Sequence, residues 1–436
     1  MKFINVTDDP FYILHIQCSS SIKFKYSVMK KNFLFLVLPL FIFTTFCDAS
    51  NPFNKKQSPL DNLANNAINI SLTCLTKSVE EVKDRSLYPT YATKDLKWKL
   101  KSSDDWTSGF YPGCLWYAYE LSKDIKFKSW AEEWTAGIER QKYNTKTHDL
   151  GFRFGCTYRN GFRLAPKDSA TANYKEIILT AANTMDKRFL PVIGSYTSDW
   201  DVKPLTNSVP VVIDIMMNLE LLLWSSQNGG DPKRTERCLT HVATSYRDLI
   251  RSDASSFHVA RYDKISGKLL NQGQLQGDVD SSTWSRGQAW MIYGLVTVYR
   301  FTKDEQYLEK AMRVSDYFIR HLPKNRIANW DFQSKLEYPD ASAAAAVCSA
   351  LLEMQGYLKS KEKQRYYLSE AEKILTTLCQ PPYFSEGKGT NCLLLHSTQY
   401  YYKTENTDVP CSFADYYFME SLVRYKALKA NKNHQQ

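Results

Sequence analysis

Long apolar stretches alternate with amphipathic ones along the chain from about residue 60 onwards. The apolar stretches lack period-two alternation, and a helix that is apolar around most of its circumference is buried on most sides. They cover residues 210–226, 285–302, 341–358 and 412–429. The amphipathic stretches cover residues 172–188, 235–252, 304–321 and 363–379. No set of strands is indicated, so the pattern predicts an all-α fold.

A weak internal repeat indicates that the helices come in pairs. Residues 119–124 (YELSKD) match residues 299–304 (YRFTKD) in register, and Phe127 then falls opposite Tyr307. Each copy has the pattern of a buried helix, a turn with an acidic N-cap candidate, and an amphipathic helix. Residues 60–430 accommodate six such hairpins in one domain, which predicts an (α/α)6 barrel with apolar inner helices. A linear helical solenoid is the alternative architecture.

The N-terminal part of the chain contains an export pattern. Residues 29–47 begin with Met-Lys-Lys, continue as an apolar run and end at Cys47, and the run is too short for a comfortable membrane span. Met29 is then a candidate start, and residues 1–28 a candidate upstream extension that arose from the choice of start site. Cys47 is also a candidate lipidation site, although Phe46 stands where small residues are preferred. We expect an exported protein, either periplasmic or lipid-anchored to the outer membrane.

Charge, cysteine and aromatic usage narrow the classes of partner. The formal net charge is +10, which favours anionic partners. Without a nucleic-acid motif or a dense Lys/Arg block, an acidic polysaccharide is expected rather than nucleic acid. The ten cysteines form no CxxC pair and no zinc-type spacing, so we expect buried thiols, no metal and no cofactor. The many aromatic rings suit either a packed core or stacking on sugars.

Asp214 is the most informative single residue. It interrupts the apolar run 211–217 (VVIDIMM) near the start of a predicted buried helix, where a bare carboxylate is costly unless hydrogen-bonded or protonated. One interpretation is a structural Asp favoured by the helix dipole. The other is a general acid whose pKa is raised by burial and by a neighbouring carboxylate. Asp149, in a His-Asp-x-Gly loop, suits either catalysis or ordinary turn chemistry.

Other loops between the predicted helices concentrate aromatic, basic and amide side chains. Each of these residues alone could belong to the core or brace its loop, and their clustering with acidic residues favours a binding site. The candidates are Trp106, His148, Trp200, His258, Gln276, Arg286 and Trp290.

Six segments, taken in order, resemble the unsaturated glucuronyl hydrolases, glycoside hydrolase family 88. They are residues 106–110 (WTSGF), 148–152 (HDLGF), 212–219 (VIDIMMNL), 283–290 (TWSRGQAW), 339–344 (PDASAA) and 414–418 (ADYYF). The resemblance implies an (α/α)6 barrel that acts on oligosaccharides ending in a 4,5-unsaturated uronic acid. It also implies hydration of the C4=C5 double bond instead of displacement at the anomeric carbon.

The resemblance assigns roles to individual residues. Asp214 matches the acid/base that protonates C4 and activates the water that adds at C5, after which the hemiketal opens and the glycosidic bond is lost. Asp149 matches the second carboxylate, which orients the sugar. The resemblance implies contacts with the sugar, its carboxylate or the water for His148, His258, Gln276 and Arg286. It implies that the sugar stacks on Trp106, Trp200 and Trp290. The planar fork of an arginine suits a carboxylate ligand.

Residues 398–403 lie where some relatives recognise the next sugar or its sulfate. The family pattern there favours serines before the lysine, whereas this chain has Thr398 and Tyr401 before Lys403, which leaves sulfate preference open. Leu275 precedes Gln276 where some relatives carry histidine, a second departure.

Three other functions stay open at this level. One is an unsaturated rhamnogalacturonyl hydrolase of the same fold, against which the motifs around Asp149 and Arg286 argue. Another is a non-catalytic glycan-binding toroid, which would tolerate loss of Asp214. The third is a sugar epimerase on a similar ring, which would normally use paired histidines, and the chain has seven His in all. The parent polysaccharide (heparan, chondroitin, hyaluronan or another uronate polymer) and the oligomeric state are not fixed by the sequence.

Overall fold

The computed structural model describes residues 58–165 and 168–434, together with two short strands nearer the N-terminus. These strands, β1 (Tyr12–Ile13) and β2 (Ser27–Val28), pair antiparallel. The described residues from 58 onwards form one compact unit. The predicted export signal at 29–47, including Cys47, lies outside the described residues, so it stays a prediction.

Helices dominate the compact unit. In chain order they are α1 (Pro59–Glu81), α2 (Phe110–Ser122), α3 (Ile125–Ala136), α4 (Leu150–Phe154), α5 (Asn160–Leu164), α6 (Tyr174–Asp186), α7 (Ile215–Gln227), α8 (Lys233–Leu249), α9 (Ser285–Thr302), α10 (Glu305–Arg320), α11 (Ala341–Met354), α12 (Lys361–Leu378) and α13 (Ser412–His434). A π turn at Gly155–Arg159 joins α4 to α5 into one inner element. The strands of the compact unit are β3 (Leu87–Ala92), β4 (Trp98–Ser102), β5 (Phe189–Leu190), β6 (Ser195–Tyr196), β7 (Ser208–Val212), β8 (Val259–Asp263) and β9 (Leu269–Gly273).

The inner helices form a closed ring. The α4–α5 element packs against α2 and α7, contacts continue through α9 and α11 to α13, and α13 packs back against α2. The amphipathic stretches predicted from the sequence are the outer helices α6, α8, α10 and α12, and they lie with α1 and α3 behind the ring. This is the predicted (α/α)6 barrel. The contact between the first and last inner helices excludes the linear solenoid, whose ends do not meet.

The predicted internal repeat has a local physical basis. Lys123 and Lys303 both end an inner helix in the left-handed conformation, with φ of 60° and 57°. The next residues, Asp124 and Asp304, cap the following helices by accepting a hydrogen bond from the backbone N–H two residues on, at 3.0 and 3.1 Å. The repeated Lys-Asp pair therefore stops one helix and starts the next.

The expectation that the chain has no strands is wrong. The apolar stretch 210–226 was expected to be one helix, but its first residues belong to β7 and the helix begins only at Ile215. β7 pairs antiparallel with β8, which pairs antiparallel with β9. Residues 210–212 of β7 are all buried, so this part of the strand shows no alternation of apolar and polar positions. β-branched Val209, Val211 and Val212 favour the extended conformation over the helix.

Much of the aromatic content belongs to the core. Trp116, Trp134, Trp284, Trp290 and Trp330 are among the largest fully buried side chains. The eight cysteines within the described residues are buried free thiols, as expected, whereas Cys18 and Cys47 lie outside those residues. Among the described helices, none has the length and apolarity needed to cross a bilayer.

Candidate active site

A cavity of about 430 Å³ opens where the inner helices begin. It collects residues from loops that are far apart in the sequence. Eight of the residues singled out in the sequence line it: Trp106, His148, Asp149, Trp200, Asp214, Gln276, Arg286 and Trp290.

The sheet β7–β8–β9 brings three of the candidate residues to one edge. Asp214 follows the end of β7, His258 precedes the start of β8, and Gln276 follows the end of β9. Because the strands are antiparallel in that order, these three strand ends coincide. The backbone N–H of Ile213 donates to the carbonyl oxygen of His258 at 2.9 Å, which continues the ladder up to the carboxylate.

Asp214 occupies the N-cap position of α7 but its side chain makes no capping hydrogen bond. Its Oδ2 lies 3.1 Å from Nε2 of His258, and its side chain is 16% exposed. The two atoms face each other without a well-aligned hydrogen bond. The backbone N–H of Gln276 donates to Nδ1 of His258 at 3.2 Å, so the ring proton belongs on Nε2, the atom that faces Asp214. Helix capping therefore does not account for this carboxylate.

The expected rise in the pKa of Asp214 is not what the geometry gives. Burial raises the pKa of this carboxyl, but His258, followed by His148, outweighs burial and holds the pKa below its ordinary value of 3.8. Without a ligand, Asp214 is therefore ionised. The sequence suggested burial and a second carboxylate as neighbours, and it did not reveal that two imidazoles surround the group.

Asp149 is held by its own loop. Its Oδ2 accepts a hydrogen bond from Oγ1 of Thr147 at 3.2 Å, and its Oδ1 lies 3.2 Å from Nε2 of His148. The other ring nitrogen of His148 lies 3.0 Å from Oγ of Ser198. The same Oγ accepts from the backbone N–H of Trp200 at 2.9 Å, which ties the Trp200 loop to the Asp149 loop.

A close helix approach ties the two acidic loops together. A side chain at Gly151 would meet the Cα of Asn218 at 2.5 Å, so only glycine fits where α4 approaches α7. Asn218 is fully buried and accepts from the backbone N–H of Phe152 at 3.0 Å. Its Nδ2 donates to the carbonyl oxygen of Asp214 at 3.1 Å. One amide thus fixes Asp214 relative to the helix that follows Asp149.

Arg286 lines the cavity, but the protein itself occupies its guanidinium. Its Nη1 lies 2.6 Å from Oδ2 of Asp340 and 2.7 Å from the carbonyl oxygen of Thr398. Its Nη2 donates to the carbonyl oxygen of Gln399 at 2.9 Å and to Oε1 of Gln276 at 3.2 Å. The expected free fork for a substrate carboxylate is therefore not present. Arg286 instead holds the loop around residue 399 against the start of α9.

The aromatic walls differ in exposure. Trp106 and Trp200 are partly exposed and can present a ring face to a ligand, whereas Trp290 is fully buried. Trp284 belongs to the family-like segment 283–290 but was not predicted as a site residue, and it stacks on His258 with 4.4 Å between ring centroids. Tyr400 also lines the cavity.

The predicted second-sugar residues lie away from the cavity wall. The Thr398 hydroxyl accepts from the backbone N–H of Asp408 at 3.3 Å, and Tyr401 stacks on Trp330 with 4.2 Å between ring centroids. Lys403 is exposed and lies 5.3 Å above the ring of Tyr400. Thr398 still reaches the cavity-lining Arg286 through its carbonyl oxygen, and Lys403 reaches the cavity-lining Tyr400.

The chain matches Glycosyl Hydrolase Family 88 over residues 76–426. The chain belongs to this family. An unsaturated glucuronyl hydrolase of Formosa agariphila is 39% identical over 332 residues, covering 75% of this chain and 81% of that protein. A crystal structure of an unsaturated glucuronyl hydrolase specific for heparin superposes with a TM-score of 0.80, 33% identity and coverage of 85% and 98%. The crystal structure of the unsaturated glucuronyl hydrolase of Bacillus sp. GL1 superposes with a TM-score of 0.78 and 27% identity. That match covers 83% of this chain and 97% of the Bacillus chain.

Several cavity residues of this family 88 chain escaped the sequence analysis. Some of them had a usable signal: Asp105 directly precedes the Trp106 motif, Arg153 follows Asp149 by one helical turn, and Trp284 and Tyr400 lie inside the segments 283–290 and 398–403. The missed residues are Asp104, Asp105, Asn144, Lys146, Thr147, Arg153, Asp199, Trp284 and Tyr400.

Within the described residues, no group of three or more His, Cys, Asp or Glu side chains could hold a metal ion.

Proposed function

We propose that this family 88 hydrolase removes the terminal 4,5-unsaturated uronic acid from oligosaccharides by hydrating the C4=C5 double bond. The observation that carries the proposal is Asp214, a carboxylate facing His258 in a cavity that Asp149 also lines. A buried carboxylate that caps nothing and pairs with an imidazole is poised for proton transfer.

The reaction follows from a single acid/base group. Asp214 in its acid form transfers a proton to C4, which leaves positive charge shared between C5 and the ring oxygen. Water adds at C5 and returns a proton to Asp214, so the group ends as it began. The hemiketal formed at C5 opens, C1 becomes a hemiacetal, and its collapse releases the remaining sugar as the alcohol. Asp149 holds the sugar hydroxyls during these steps.

The substrate itself supplies the condition for this chemistry. Asp214 is ionised in the free protein, since its pKa lies below 3.8. A bound uronate brings a second negative charge and displaces water, and both effects raise the pKa of a nearby carboxyl. Asp214 therefore takes up its proton when the anionic substrate binds.

Glycosaminoglycan-derived oligosaccharides are the substrate class that we favour. One structural relative is specific for heparin, and the Bacillus sp. GL1 enzyme is responsible for the degradation of glycosaminoglycan. The net charge of +10 favours an anionic substrate.

Reaction type can be tested with lyase-generated disaccharides. We expect the ultraviolet absorbance of the conjugated double bond to disappear with turnover, while matched saturated glucuronides stay intact. A chelator should leave the rate unchanged. Cleavage of the saturated substrate at a comparable rate would contradict the proposal, because a hydration mechanism needs the double bond.

We also propose that the chain is exported by the segment 29–47. In a bacterial host, the full-length protein should be recovered outside the cytoplasm with its N-terminus at or after Cys47. Metabolic labelling with a fatty acid then separates a lipid-anchored form from a free periplasmic one. Recovery of uncleaved cytoplasmic protein would argue against export.

A further inference from the structure

Arg153 is a buried guanidinium in the wall of the cavity. It lies on α4 one turn after Asp149, so the two side chains share a helix face. The residue is 2% exposed, yet it lines the cavity. One terminal nitrogen donates to Oε1 of Gln141 at 3.1 Å and the other to the carbonyl oxygen of Asp104. Its Nε is buried and has no hydrogen-bond partner among the described residues.

The charge of Arg153 is not neutralised as that of Arg286 is. Arg286 pairs with Asp340 at 2.6 Å, whereas the two polar partners of Arg153 are an amide and a backbone carbonyl. Lys146, the third cation of the cavity wall, is exposed and so keeps its hydration. Among the cations that line the cavity within the described residues, Arg153 is therefore the one that is both buried and without a carboxylate partner.

An uncompensated buried cation gains most from an anionic ligand. Burial lowers the pKa of Arg153, and the more distant carboxylates of Asp149, Asp105 and Asp104 oppose that shift only in part. The guanidinium nevertheless keeps its charge at any physiological pH. A charged guanidinium without a carboxylate partner, in the wall of an open cavity, has the chemistry of an oxyanion receptor.

We propose that Arg153 binds an oxyanion of the substrate, either the carboxylate of the unsaturated uronate or a sulfate ester on the same disaccharide. This inference rests on the proposed function and names a recognition residue for it. If the oxyanion is the carboxylate, Arg153 makes the contact that the family resemblance implied for Arg286. Arg286 acts as a positioning residue that is already paired.

The variant Arg153→Met tests the inference, because methionine keeps an unbranched apolar stem and removes the charged fork. We expect KM for the accepted disaccharide to rise about 10- to 100-fold, as for loss of a hydrogen bond to a charged group, with a smaller change in kcat. Arg163→Met is the matched control. Arg163 lies further along the same inner element, pairs with Glu120 and is absent from the cavity wall, so KM should not change.

Three substrates identify the oxyanion: an unsulfated unsaturated disaccharide, its methyl ester, and a sulfated form. If Arg153 binds the carboxylate, Arg153→Met raises KM for both acids but not for the ester. If it binds a sulfate, KM rises for the sulfated form alone. An Arg153→Met protein that is less stable to heat but has wild-type KM on all three would overturn the inference and make Arg153 a structural brace. Wild-type protein that turns over none of them would instead overturn the proposed function.

Discussion

Asp214→Asn is expected to lower turnover of the unsaturated disaccharide by ~10²–10⁴-fold, the usual contribution of acid–base catalysis. Asparagine is nearly isosteric with aspartate, but it can neither donate a proton to C4 nor accept one from water. The carbonyl of residue 214 and its bond to Asn218 are unaffected by the change. The variant should therefore fold and still bind the disaccharide.

The measurement pairs calorimetric binding with turnover. Asp263→Asn is the matched control, because Asp263 ends β8 at the other end of the same sheet and accepts backbone N–H groups of its own turn. Its turnover should stay near that of the wild type. If Asp214→Asn keeps more than about a tenth of wild-type turnover, the general acid lies elsewhere.

The pH profile gives a second readout of the same group. kcat/KM reports the free enzyme, in which the pKa of Asp214 lies below 3.8. If the protonated form of Asp214 reacts, that form becomes scarcer as pH rises. We therefore expect kcat/KM to fall as pH rises above the pKa of Asp214. Asp214→Asn should remove this dependence, and a profile that the substitution leaves unchanged would contradict the assignment.

The same pKa predicts the effect on stability. A carboxyl whose pKa is lower in the folded state than in the unfolded chain stabilises the fold above its unfolded pKa, and that contribution is lost as pH falls through the folded pKa. Asp214→Asn should therefore be slightly less stable than wild type at neutral pH. The difference should vanish in acid. Thermal unfolding at both pH values checks this.

Arg286→Lys is expected to reduce kcat/KM by on the order of 10²-fold, equivalent to about 2.7 kcal/mol of transition-state stabilisation. Lysine keeps the charge beside Asp340 but offers a single nitrogen in place of a planar fork. It cannot hold Asp340 and the carbonyls of Thr398 and Gln399 with the present geometry. The loop that carries Tyr400 into the cavity would then shift, together with Gln276.

The control separates positioning from general destabilisation. Arg300→Lys changes an arginine on the same helix, which pairs with Glu220 and Glu353 and lies outside the cavity wall. Both variants should lose thermal stability, but only Arg286→Lys should lose catalytic efficiency at temperatures where it is fully folded. Near-normal kinetics for Arg286→Lys would show that the fork is dispensable.

The sequence determined those features that short stretches of chain control. The Lys-Asp pairs at 123–124 and 303–304 stop one helix and cap the next through contacts within a few residues. The helical hairpins could therefore be predicted from the sequence. The apolar and amphipathic stretches likewise predicted inner and outer helices. Ordered motifs around Asp149 and Asp214 indicated family 88, and the family match confirmed it.

Only the tertiary structure decided how the site is assembled. β7 is buried along 210–212 and so carries no periodic signal there, yet its pairing with β8 is what places Asp214 against His258. The direction of the pKa shift at Asp214 depends on imidazoles from two other loops. Whether Arg286 or Arg153 has a carboxylate partner depends on residues far away in the sequence. Such properties follow from three-dimensional neighbours, which composition and spacing along the chain do not specify.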